Sequence, residues 1–169
     1  PKLEYLKNNF DEIAILGVIT KITLEKFSEL SIDDEPVIQA LRRYKTDFSG
    51  ASLEEMGEYF SKMDSDSISK AINNIQGILH EIEWVNIENS DGDSIMVGMF
   101  PETNHKDYDI WAIDTNTGEM WTEQLKATMD KSTIRDWIEE HPDGTIRVDE
   151  EMANELDLPT TGLDRDDLR

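Results

Sequence analysis

The sequence contains no cysteine and only three histidines among its 169 residues. Without cysteine the chain has no disulfide framework, no thiolate nucleophile and no cysteine-type zinc site. Its longest apolar run, residues 13–19 with Gly17 inside it, is far shorter than the ~20 residues that a membrane span needs. There is no glycine-rich phosphate loop and no serine in a small-residue elbow. We therefore expect no membrane span, and the absence of a basic, apolar leader predicts a cytoplasmic location.

Positive charge is also scarce, because 16 Lys and Arg face 38 Asp and Glu, a formal net charge of −22. A chain this acidic repels nucleic acid unless cations gather on one face. The one basic cluster, Arg42, Arg43 and Lys45, lies in the nearly neutral first 50 residues. It is interpreted as a solvated helix face, with phosphate contact as the alternative.

The first half of the chain has the spacing of amphipathic helices, with apolar residues three or four apart. Ser52 and Glu55 form a capping-box pattern, which predicts a helix start at residue 53. Gly17 could break the first helical stretch into two. The predicted helices cover residues 3–30, 36–46, 53–63 and 68–83.

After residue 83 the apolar period changes to two, which is typical of strands. We predict four antiparallel strands in two hairpins, followed by a helix, a short strand and a last helix. These elements cover residues 84–87, 95–99, 108–113, 120–126, 132–140, 145–148 and 150–156. The fold class is α+β: a helical N-terminal part over residues 1–63, a mostly antiparallel, helix-flanked sheet domain over 64–157, and an acidic polar tail over 158–169.

Three polar residues form a candidate catalytic site. Asp109 opens a predicted strand, and Gln124 and Lys126 lie two residues apart on the partner strand, so they project from one face. An acid, a second oxygen ligand and a lysine can hold a divalent cation and act on a phosphodiester. By contrast, the carboxylates of Asp91 and Asp93 match only part of a calcium loop and are interpreted as turn residues.

Residues 108–114, YDIWAID, followed by a Thr-Gly-Glu turn and by QLK at 124–126, resemble the PD-(D/E)XK superfamily of restriction-endonuclease-like proteins. The resemblance implies a restriction-endonuclease-like sheet and Mg²⁺-dependent hydrolysis of nucleic acid. It implies catalytic roles for Asp109, Gln124 and Lys126. It also implies metal ligation by Asp109 and Gln124 together with an acid on the preceding helix, for which Glu83 is preferred over Glu81.

Two positions depart from the family's pattern. Tyr108 stands where the family has proline, and Gln124 supplies a neutral oxygen, which binds a hard cation more weakly than a carboxylate does. A structural alternative is that Asp109 caps a strand while Lys126 pairs with neighbouring acids. The functional alternative is a non-catalytic acidic module without a cofactor, which binds a basic protein such as a toxin or mimics nucleic acid.

Overall fold

The structure is a computed structural model, and it describes residues 10–101, 108–126, 130–148 and 150–160. The chain divides into two compact units, residues 1–79 and residues 80–168, and each is described by itself. Of the helices in these described ranges, none combines the length and the apolar character that a membrane crossing requires. The expected combination of a helical N-terminal part and a helix-flanked sheet is confirmed.

The first unit is helical throughout its described length. It contains α1 (Phe10–Thr23), α2 (Glu35–Tyr44), α3 (Leu53–Ser61) and the first part of α4 (Ser65–Glu88). Short 3₁₀ turns lie at Phe27–Glu29, Ile32–Asp34 and Thr46–Phe48.

The predicted helix over residues 3–30 is wrong in its C-terminal part. α1 passes through Gly17 without a break and ends at Thr23, and residues 1–9 lie outside the described ranges. Glu25 has a φ of 56°, a left-handed conformation that typically follows a helix end. The helical spacing of apolar residues in the sequence therefore continues beyond Thr23, where the helix itself ends.

The start of α3 is the one that its capping box predicts. The Glu55 backbone N–H donates to Ser52 Oγ at 3.1 Å, and the Ser52 N–H donates to the Glu55 carboxylate at 2.7 Å. Further along α3, a Cβ placed on Gly57 would lie 2.3 Å from the backbone oxygen of Ile22 in α1. The missing side chain of Gly57 is therefore what lets the two helices approach this closely.

Two members of the basic cluster have structural partners. The Arg42 guanidinium donates to the backbone oxygen of Ala51 at 2.7 Å, and so holds the loop before α3. The Lys45 ammonium lies 4.1 Å from the centre of the Tyr59 ring, in cation–π contact. These contacts give Arg42 and Lys45 roles in the helical unit itself.

The second unit is built on a four-stranded sheet. Its elements are β1 (Ile95–Met99), β2 (Ile110–Asp114), β3 (Met120–Lys126), α5 (Lys131–Glu140), β4 (Thr145–Val148) and α6 (Glu150–Leu156). The strand order is β1-β2-β3-β4, with antiparallel pairing among the first three strands and parallel pairing between β3 and β4. The sheet is therefore mixed, since the chain crosses over through α5 before it adds β4.

The predicted strand over residues 84–87, and with it the first hairpin, is wrong. These residues form the last turn of α4, which continues to Glu88. Trp84 is buried there against the sheet, and Val85 packs beside it. Three apolar residues within four fit a helix as well as a strand, and burial of Trp84 against the sheet decides in favour of the helix.

The sheet has two different faces. On the Trp84 face, one cluster packs between α4 and the strands, and its members are Trp84, Val97, Ile110, Ala112 and Leu125. On the Trp137 face, the helices α5 and α6 cover β4 with a second cluster, whose members are Ile134, Trp137, Ile146, Val148, Met152 and Ala153. Residues that alternate along a strand therefore belong to different cores.

The outer edge of β1 is closed by a side chain. The Asn89 side-chain amide donates to the Val97 backbone oxygen at 3.0 Å, and its oxygen accepts from the Val97 N–H at 2.9 Å. The Ile95 N–H donates to Asp93 Oδ1 at 2.6 Å. These bonds occupy backbone groups that an added strand would use.

Candidate functional site

The structure brings Asp109 and Gln124 together where β2 begins beside the end of β3. The Gln124 side-chain amide donates to Asp109 Oδ2, which also accepts from the Leu125 N–H at 2.9 Å. Asp109 is half-buried, whereas Gln124 is only 5% exposed. The pair forms because Asp109 directly precedes β2, and the β2–β3 register puts Ile110 opposite Glu123.

Lys126 lies on the same strand face as Gln124, two residues further along β3, and is half-buried. In the parallel ladder Gln124 is the partner of Ile146 and Lys126 is the partner of Val148, so both lie on the Trp137 face. Glu83 is half-buried on α4, and its neighbour Trp84 packs on the opposite face. A joint site of Glu83 with Asp109 would therefore have to form at the end of the sheet.

Asp109 also has a structural function. Its backbone N–H donates to the Glu123 backbone oxygen at 3.0 Å, in addition to the two bonds that its carboxylate accepts. These contacts extend the β2–β3 pairing by one residue. A strand-capping role for Asp109 and a chemical role use the same carboxylate.

The Trp84 face holds an ion pair that the sequence analysis missed, between a buried carboxylate and a half-buried guanidinium. Glu123 is 2% exposed, and its carboxylate accepts from two nitrogens of the Arg147 guanidinium, Nε and one terminal nitrogen. The same carboxylate accepts from Trp121 Nε1 at 2.7 Å. The Arg147 guanidinium also lies 5.8 Å from the Trp84 ring centre. The only sequence signal was the alternation that puts Glu123 on the buried face between Trp121 and Leu125.

A second acidic group lies where α4 ends. Carboxylate oxygens of Glu88, Asp91 and Asp93 lie within 4.8 Å of one another, a spacing that suits a divalent cation. Burial raises the pKa of Glu88, the charges of Asp91 and Asp93 raise it further, and Arg147 opposes the rise. Exposed carboxylates often lie this close without an ion, so the cluster by itself does not define a site.

In comparisons with known proteins, no family model, no curated protein and no solved structure matches the chain. A function for the chain is therefore argued from the geometry of the candidate site.

Proposed function

We propose that residues 64–157 form a restriction-endonuclease-like core that hydrolyses nucleic-acid phosphodiesters with a divalent cation. The observation that carries the proposal is the contact between Asp109 and Gln124, with Lys126 on the same face of β3. The order of elements supports it, since a helix, three strands, a helix and a fourth strand follow one another as the resemblance implies.

The donor set fits a hard cation. Rotation of the Gln124 amide by half a turn would break the bond that its nitrogen donates to the Leu125 backbone oxygen at 3.1 Å, and it would turn the amide oxygen toward the same cation as the Asp109 carboxylate. Asp109 and Gln124 are the residues that would hold Mg²⁺, and Glu83 would join them only at the end of the sheet, because α4 packs on the face opposite to Gln124. When bound, the metal supplies a Lewis acid and lowers the pKa of a ligated water.

The lysine has a separate task. Lys126 lies on the same face of β3 as Gln124, from where a lysine can stabilise negative charge on the phosphate oxygens. A carboxylate at position 124 would add a second negative charge to the metal ligands. Because Gln124 is neutral, we expect weaker metal affinity than a site with two carboxylates has.

The first test is calorimetric titration of Mg²⁺ and Mn²⁺ into wild type and Asp109→Asn. Asparagine keeps an oxygen that can accept from the Leu125 N–H, so the fold is preserved while the negative charge is lost. The matched control is Glu119→Gln, which removes an exposed carboxylate from the β2–β3 turn. We expect a binding event that Asp109→Asn abolishes and Glu119→Gln leaves intact.

The second test measures cleavage of single- and double-stranded DNA and of RNA. Lys126→Met keeps most of the side chain's apolar length, and we expect it to lower the rate about 100-fold or more while metal binding persists. Identical titrations for wild type and Asp109→Asn, with no cleavage of any substrate, would show that Asp109 serves only to cap the strand.

A further inference from the structure

In the part of the chain that the structure describes, the Trp137 face of the sheet is covered over only part of its width. Helices α5 and α6 cover β4, but across the three antiparallel strands the same face carries an apolar row of Met96, Ile113 and Met120. Met96 pairs with Ile113, and Ile113 pairs with Met120, so the three side chains lie side by side. We call these three residues the methionine row.

The two methionines of the methionine row are largely exposed to solvent, although large apolar side chains are usually buried. Met96 is 52% exposed, Met120 is 66% exposed, and Ile113 between them is half-buried. The next row continues the apolar surface, since a Cβ placed on Gly98 would lie 2.3 Å from Cζ2 of Trp111, whose ring therefore extends over Gly98. Contiguous apolar surface of this kind marks interaction sites, and methionine adapts to different partners.

The size of the row fits a helix. Met96 and Met120 are separated by two strand spacings, about 10 Å, which is close to the diameter of an α-helix with its side chains. A helix laid here would extend the layer that α5 and α6 begin on the same face. Strand addition at β1 is disfavoured, because Asn89 already bonds both backbone groups of Val97.

The negative charge around the methionine row indicates which class of partner it would attract. The parts of the chain that flank the row, residues 88–94 and 114–119, have five Asp and Glu and no Lys or Arg. The two turns next to the row contain several of these acids, and the Thr115 N–H donates to the Ser94 backbone oxygen at 2.8 Å, so the turns are adjacent. A second copy of this acidic chain would be repelled here, whereas a cationic polypeptide would be attracted.

We infer that the methionine row binds a cationic amphipathic helix of another protein, with apolar residues on the row and Lys or Arg residues toward the surrounding carboxylates. This interaction is independent of the proposed hydrolysis, because it uses neither Asp109 nor Lys126.

The test uses the full chain and fluorescence anisotropy with a labelled helical peptide of about 18 residues, about five turns, with leucines on one side and lysines on the other. A peptide with alanine in place of leucine is the probe control. The protein variant is Met96→Gln/Met120→Gln, and the matched control is Ile32→Gln, which changes an 87% exposed residue of the helical unit. Thermal unfolding verifies that both variants are folded.

We expect the double variant to weaken binding of the leucine–lysine peptide about tenfold or more, and Ile32→Gln to leave it unchanged. The alanine–lysine peptide should bind wild type about as weakly as the leucine peptide binds the double variant. Equal affinity of wild type and double variant for the leucine peptide would overturn the inference.

Two further outcomes would also overturn it by identifying another occupant. One is binding of an oligonucleotide of about twelve thymidines that the double variant abolishes, because the row would then stack bases. The other is a dimer of the wild-type protein in sedimentation velocity that the double variant dissociates.

Discussion

The Glu123–Arg147 pair makes the sheet unit sensitive to one substitution. Arg147→Met keeps much of the apolar stem but removes every guanidinium bond. Glu123, 2% exposed, would then keep only the bond from Trp121 Nε1 as its described side-chain partner. Removing one partner of a buried pair costs about 3–5 kcal/mol, because a charge is left buried without compensation. For a unit of this size the midpoint of thermal unfolding should fall by about 15–30 °C.

The assay is urea unfolding followed by circular dichroism, with Lys131→Met as the control. Lys131 pairs with Glu155 at 2.5 Å, but both side chains are about half exposed, so this loss should cost no more than about 1 kcal/mol. The double variant Glu123→Gln/Arg147→Met should be more stable than Arg147→Met by about 2 kcal/mol, since no uncompensated charge remains. A small loss in Arg147→Met, similar to that in Lys131→Met, would refute this reasoning.

Three smaller effects follow from the helical unit. Gly57→Ala should cost about 2 kcal/mol or more in urea unfolding because the new methyl group meets α1 backbone, whereas Gly77→Ala, with nothing within 4 Å, should stabilise by about 0.5–1 kcal/mol. Ser52→Ala should lower the unfolding free energy by about 1 kcal/mol, and retention of full stability would contradict the capping role. Burial raises the pKa of Asp11 to about 6, above its unfolded value, so wild type should lose stability as pH rises from about 4 to 6. At pH 7.5, Asp11→Asn should therefore raise the unfolding free energy by about 1 kcal/mol after solvent screening, and the melting temperature should rise with it. At pH 4 the substitution should raise neither quantity.

Local signals predicted the elements whose formation depends on neighbouring residues. The cap at Ser52 needs only Glu55 three residues later, and the helix over residues 150–156 has the predicted bounds. The turn between β2 and β3 is equally local, since Gly118 takes a φ of 75° there.

Long-range packing decided the rest. Residues 84–87 are helical because Trp84 reaches a core formed by strands that follow it in sequence, which no short window contains. At the candidate site, alternation predicted the shared face of Gln124 and Lys126. The ion pair joins Glu123 to Arg147, 24 residues away, and its formation depends on the parallel pairing of β4 with β3, a direction that the predicted, mostly antiparallel sheet left open.

The closure of β1 by Asn89 has a consequence for how the protein behaves at high concentration. An edge strand with unoccupied backbone groups is a template on which further chains can assemble into fibres. Here the Asn89 side-chain amide makes two of the backbone hydrogen bonds that a further chain would make. Substitution of Asn89 would open the edge at Val97, and the bond from the Ile95 N–H to Asp93 would then be the remaining described closure of this edge against further copies of the chain.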